Sequence, residues 1–460
     1  MPRIRLIAYF QFAFLFLTIL LWNLDEQIAI ESCKYSIVIN LMLGFYCFKV
    51  SYQNWINPHN LFLFSVFFFL TPRIFLDVLG YEPFNATVFY SSYHFSFYTS
   101  FKILININIA IISFLLGSNF ERITIKKNKE VDENLNLLKI GKRLFIIGFP
   151  IVLYKLIVTI YILATEGYRA LNLGNVSVPD SFIISLFSIC CFFGYFIFLI
   201  SKPDKKQNIL IIVSTLFLFL VLIADGRRGP AFSFILVVLW FVFYSRGIKL
   251  NLRKIITYGV FGLSIAIIMG YFRNSKEITS ESFDFTLFFY SQGVSIQVIG
   301  YTIDFVDQLN YNFVDLFGNI RRYFDVNFFG SNSSNVFISR AREYKIFSNY
   351  ISDTVNRDLY YRGLGIGGSY IAQLYAVAGE IGQLLGGVFI GFSFTRWINV
   401  ALNSKFWGKV ILLLYLPYII YIPRDNLFDF ITDNLLFTII LASIYIINNL
   451  RKRIKIEMSK

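Results

Sequence analysis

Arginine is the residue type through which this chain could do chemistry. Arg227 and Arg228 stand side by side in "LIADGRRGPAFS", a turn broken by Gly226, Gly229 and Pro230 between two apolar runs. Arg273, Arg321, Arg322, Arg340, Arg342, Arg357 and Arg362 follow, and then Arg424 in "IPRDN". A guanidinium stays charged at any working pH and grips phosphate with a planar fork, so several of them at one membrane–water boundary suit a diphosphate. The competing reading is ordinary solvated charge, with side chains reaching lipid headgroups. Neighbouring helical residues point about 100° apart, so one of Arg227 and Arg228 is expected to face a site and the other the headgroups. The run "RGLGIGGS", Arg362 to Ser369, could add backbone N–H donors in an anion nest. Close helix packing is the other reason for glycines there. The run lacks the Gly-Lys-Ser/Thr ending of a P-loop, so ATP is not expected.

Other groups are less specific. Asp225, Glu343, Asp358, Glu380 and Asp425 are carboxylates able to deprotonate a hydroxyl, and the sequence does not choose among them. Arg73 and Asp77 in "TPRIFLDVLG" are spaced i, i+4 and are expected to neutralise each other on one helix face. Lys155 lies inside an apolar run, and Glu380 near another; either could line a cavity. His59 and His94 are the only histidines, far apart and without a ligand cluster, so they read as structural and no metal site is expected. The four cysteines form no disulfide framework.

The elements that must position these residues are membrane helices. Of 460 residues, 56% are hydrophobic and 15% charged, and apolar runs long enough to cross a bilayer recur along the chain. The expected fold is an all-α polytopic membrane protein with about twelve spans. They lie near 4–22, 35–50, 60–80, 101–117, 143–163, 181–201, 208–224, 230–245, 255–271, 376–395, 409–422 and 431–449. Residues 283–306 could pass for a thirteenth span; they are read instead as a helix lying at the outer interface or against the bundle. The organisation expected is a membrane domain over 1–271, a large outer loop over 272–375, and a second membrane portion with a cytoplasmic tail over 376–460.

Lysine and arginine concentrate in "SNFERITIKKNKEVDENLNLLKIGK" and in the tail "RKRIKIEMSK", which places both termini in the cytoplasm. Few fall in the short outer loops: Lys34, Arg169, Arg227, Arg228 and Arg424. The net charge of +14 is therefore a topology signal. It can draw anionic inner-leaflet lipid; a nucleic-acid partner is not expected.

The order of parts resembles a known family. A short outer turn with arginine after glycine ("ADGRRGPAF") is followed by two spans and a long outer loop. Then comes "GIGGSYIAQLYAVAGEIGQLLGGVFIG". This is similar to the oligosaccharide repeat-unit polymerases, the Wzy-type O-antigen polymerases of bacterial envelopes. The resemblance implies an inner-membrane glycosyltransferase working at the periplasmic face. It would move a growing glycan from one undecaprenyl diphosphate carrier to the sugar of an incoming lipid-linked repeat unit. It implies no cofactor, metal or nucleotide, and as partners lipid-linked glycans, membrane lipid and a chain-length regulator. Arg228 best matches the family's turn arginine, with Arg227 as the rival alignment, and Arg357 with Gly368 fits an Arg-x10-Gly spacing. The residues expected to carry catalysis are Arg228, Arg357, Arg362 and Glu380. Those expected to hold the diphosphate are Arg227, Arg273, Arg340, Arg342 and Arg424 with Gly367, Gly368, Ser369 and Tyr370. Where many relatives carry Glu after "SYIA", this chain has Gln373. A flippase would be expected to show internal repeats and midplane charges, and an O-antigen ligase to use a loop histidine, which this chain lacks after His94.

Overall fold

A computed structural model describes residues 2–87, 89, 93–123, 135–166, 182–201, 208–224, 228–247, 253, 285–328, 338–404, 406–432, 434–435, 439 and 443. Every regular element among them is a helix. The N-terminal helices are α1 (Pro2–Trp22), α2 (Glu26–Tyr52), α3 (Pro58–Phe69), α4 (Pro72–Val78) and α5 (Phe97–Ser118). Next come α6 (Leu135–Thr165), α7 (Phe182–Ile200), α8 (Asn208–Ala224) and α9 (Arg228–Ser245). Short helices follow: α10 (Phe285–Gln292), α11 (Ser295–Asp304), α12 (Val306–Leu309), α13 (Gly318–Phe328), α14 (Phe347–Val355) and α15 (Arg357–Tyr361). The chain re-enters the bundle with α16 (Tyr370–Asn403) and α17 (Phe406–Tyr421).

Five described helices are long and apolar enough to cross a membrane, or six if α3 and α4 form one broken span. Shorter apolar helices, α8 and α9 among them, accompany these. The expected spans at 208–224 and 230–245 coincide closely with α8 and α9. The span at 255–271 and most of that at 431–449 lie outside the described residues.

Two expected boundaries are corrected. The weak span at 35–50 is the inner part of the 27-residue α2. Asp25 caps it, accepting hydrogen bonds from the backbone N–H groups of Gln27 and Ile28. Lys34 therefore lies on a helix and not in an outer loop. It is buried, with Nζ 2.7 Å from Glu31 and 2.8 Å from Asp77. The span at 60–80 is two helices bent by 64°, because Pro72 cannot donate to the preceding turn and starts a new helix instead.

α5 is the hub of the bundle, and α2 and α16 pack on it. With no hydrophobic force between helices in lipid, close approach of small residues and polar pairs must hold them. Along the α5–α16 seam, a Cβ on Gly117 would overlap the Val388 carbonyl oxygen, and one on Gly391 the Phe114 carbonyl oxygen. A second glycine seam joins α6 to α7, where Cβ atoms on Gly141 and Gly148 would come 2.7 Å from the backbone nitrogens of Phe198 and Cys191. Between α2 and α5, Asn108 Oδ1 accepts from Ser36 at 2.9 Å and from Asn40 at 2.8 Å. His59 is fully buried; its ring nitrogens lie 2.8 Å from the Tyr52 and Thr395 hydroxyls.

The described residues of 285–328 and 338–369 cap one end of this bundle. Asp304 accepts from Thr99 at the start of α5, the Tyr290 carbonyl from Arg73 on α4, and Asn426, just after α17, from the backbone of Ser348. The stretch that could have been another span is broken at Gly293 into α10 and α11, and α11 is buried against α5 and α16.

Candidate active site

The capping segment carries the loop arginines. Arg340 and Arg342 sit on one π-helical turn, Ser339–Glu343. Arg357 opens α15, whose backbone is capped by Asn356 accepting from Leu359. Asp353, on the buried side of α14, faces both helices' arginines. Its Oδ2 accepts from Arg342 Nε at 3.1 Å, and its Oδ1 lies 3.4 Å from Arg357 Nε. This carboxylate holds the Arg342 guanidinium above the usual arginine range. Arg322 and Arg340 are also near neighbours. Burial, and then the Arg340 charge, lower the affinity of Arg322 for its proton, and its Nε is buried with no acceptor among the described residues. Arg362 is exposed at the end of α15.

The glycine-rich run follows directly. Gly363 (φ +79°) and Gly367 (φ +81°) occupy the left-handed region, which only glycine enters without strain. Ser352 accepts from the backbone N–H of Ile366 at 3.2 Å and so pins the run to α14. A Cβ on Gly368 would stand 2.9 Å from Asn426 Oδ1, so packing is the reason for that glycine. Ser369 takes the N-cap position of α16, with its hydroxyl buried and unpartnered among the described residues. Tyr370 is buried beside Phe62, ring centroids 6.2 Å apart.

A second arginine group gathers where α3, α4, α9 and α17 end or begin. Arg424 Nη1 lies 3.3 Å from Gln292 Oε1, and its guanidinium sits 5.4 Å above the Phe69 ring. Phe69 meets Tyr421 edge to face at 5.3 Å. Gly229 presses against that Tyr421 ring with no room for a Cβ, which brings the backbone at the start of α9 to the same place. Asp225, Arg227 and Arg273 lie outside the described residues. The expected Arg73–Asp77 pair does not form. Asp77 is taken by Lys34 and by the backbone N–H of Phe84. Arg73, 1% exposed, donates to the carbonyls of Tyr290 at 2.9 Å and Ala86 at 2.7 Å and stacks on the Tyr290 ring at 4.1 Å.

The family model of the O-antigen polysaccharide polymerase Wzy matches residues 5–453 of the chain. The chain belongs to the Wzy family. No curated protein and no solved structure matches it. Membership makes it a multi-pass membrane protein and a glycosyltransferase-like polymerase that builds O-antigen from lipid-linked repeat units.

Within this Wzy-family chain, two polar positions of α16 take different roles. Gln373 is a structural lock: its amide donates to Tyr311 Oη at 2.7 Å and its carbonyl accepts from Leu427 N–H at 2.7 Å. Glu380 follows a break in α16 at Ala378 and Gly379 (φ +61°) and is ion-paired with Lys102 of α5. Asp353 drew no attention in the sequence, although its i, i+4 spacing to Arg357 was there to be read.

Proposed function

We propose that this Wzy-family polymerase extends O-antigen at the periplasmic face of the bacterial inner membrane, with undecaprenyl diphosphate as leaving group. The hydroxyl oxygen of the acceptor repeat unit attacks the anomeric carbon of the growing chain. The bond from that carbon to the carrier diphosphate breaks, and the electron pair leaves with the diphosphate. Negative charge thus builds beside the membrane. Fixed guanidinium groups there stabilise the transition state more than the ground state.

The observation that carries this reading is the gathering of arginines at one end of the bundle. Arg424 and the start of α9 meet around Tyr421, and Arg340, Arg342, Arg357 and Arg362 line the cap. In this reading Arg228, Arg357 and Arg362 meet the departing diphosphate. Arg227, Arg273, Arg340, Arg342 and Arg424 hold it in the ground state, with the backbone of Gly367 and Gly368 alongside. Ser369 and Tyr370 shape the floor. Glu380 takes the acceptor proton after release from Lys102. No metal or nucleotide takes part. Residues 272–375 face the periplasm, both termini the cytoplasm, and a chain-length regulator is the expected protein partner.

Arg228→Ala in a strain lacking the native gene should abolish long-chain glycan on gels while single-repeat glycan and membrane insertion persist. Arg228→Lys should be milder, since it keeps the charge but loses the fork. Normal long chains from the Ala variant would overturn the role of Arg228. Loss of every repeat on deleting the gene would overturn the reaction.

A further inference from the structure

We propose that Asp353 is a positioning residue that holds Arg342 and Arg357 as a two-armed clamp for the diphosphate of a lipid-linked glycan. The inference rests on the polymerase reading of this site. Asp353 belongs to the inner face of α14, and its side chain is 4% exposed. The two arginines reach it from the outside, 43% and 62% exposed. The contact recorded for each is through Nε, a hydrogen bond from Arg342 and an ion pair with Arg357. A guanidinium has five N–H donors, and neither side chain has another acceptor among the described residues, which leaves the terminal NH2 groups of both available to a ligand. One carboxylate balances one of the two charges and leaves the clamp net positive. A purely structural ion pair would need only one arginine.

The neighbouring residue completes the arrangement. Ser352 donates to the Ser348 carbonyl at 2.6 Å and accepts from Ile366 N–H, which fixes the glycine-rich run beside the clamp. Gly365 and Gly367 are exposed, and their backbone N–H groups meet no acceptor among the described residues. Two guanidinium groups and two free backbone donors, all referred to one helix, match the several oxygens of a diphosphate.

The test uses the full-length protein in lipid nanodiscs with geranylgeranyl diphosphate as probe. Asp353→Asn should weaken binding about tenfold, the scale of a lost charge-assisted contact, while thermal stability without probe changes little. In an Arg342→Gln/Arg357→Gln background the same substitution should add almost nothing, because residues acting through one another are not additive. Asp353→Glu keeps the charge one methylene further out and should fall between wild type and Asn. If the Asn variant does not fold, the Glu variant decides. Wild-type affinity in the folded Asp353 variants, or an equal loss with and without the two arginines, overturns the proposal. Chain extension in cells is scored separately. Unchanged extension by Asp353→Asn with wild-type probe affinity leaves the polymerase reading intact and sinks only the clamp.

Discussion

Gln373 joins three parts of the chain through one amide, and its removal tests how the cap is held. Gln373→Leu would strand the Leu427 N–H and strip the Tyr311 hydroxyl of a donor. Leaving buried polar groups unpaired costs roughly 2 kcal/mol, so thermal unfolding in detergent should shift down, whereas an unchanged midpoint would mean that water replaces the amide. The same residue explains why an acid is absent here: a carboxylate would lack the N–H that Tyr311 now receives. Residue types were legible in the sequence, and their partners were not. The spacing of Arg73 and Asp77 promised a pair, but Lys34 reaches Asp77 from α2, and two carbonyls with an aromatic face serve the arginine instead. Asp353 and Arg357 have the same spacing and do meet. Spacing sets which residues share a face, and only packing between helices decides which of them bond.

At the scale of elements, the α5–α16 seam is a tight joint in which backbone meets backbone. Gly117→Ala would drive a methyl group into the Val388 carbonyl. Overpacking of this kind costs about 1–3 kcal/mol, and two backbones in contact have little freedom to relax. The variant should lower the melting temperature of the purified protein; a neutral outcome would show that the helices can part. Apolar runs marked most helices well: α8 and α9 end where hydrophobicity ends. Departures have physical causes. α2 extends past its apolar part because Asp25 caps it and Lys34 is paired, so charge ceased to mark the membrane edge there. Pro72 split one run into two helices. The break at Ala378 and Gly379 was invisible in composition, because a left-handed glycine looks like any other glycine in a glycine-rich helix.

For the whole molecule, the orientation proposed above rests on lysine and arginine bias, and one exposed position of the cap can test it. Leu364 is 37% exposed in the run beside Arg357. Cys33, Cys47 and Cys191 are buried, and Cys190 is partly so. Leu364→Cys in a Cys190→Ser background should be labelled by an impermeant maleimide in intact spheroplasts, and protection until lysis would reverse the topology. Composition made the membrane class legible, and the order of turn, spans, long loop and glycine-rich run carried the family resemblance; the cap was not legible, because its short helices are ordered by contacts from distant sequence. Arg73 gives this dependence a direction in time. The ribosome delivers it early, and its Ala86 partner 13 residues later, but Tyr290 is 217 residues away. Lys34 meets Asp77 within the first helical hairpins, whereas Arg73 must wait with its charge half-served until more than half the chain has been synthesised. Docking of α10 is therefore a late step in the assembly of this polymerase, the one that gives Arg73 its second carbonyl and its aromatic face.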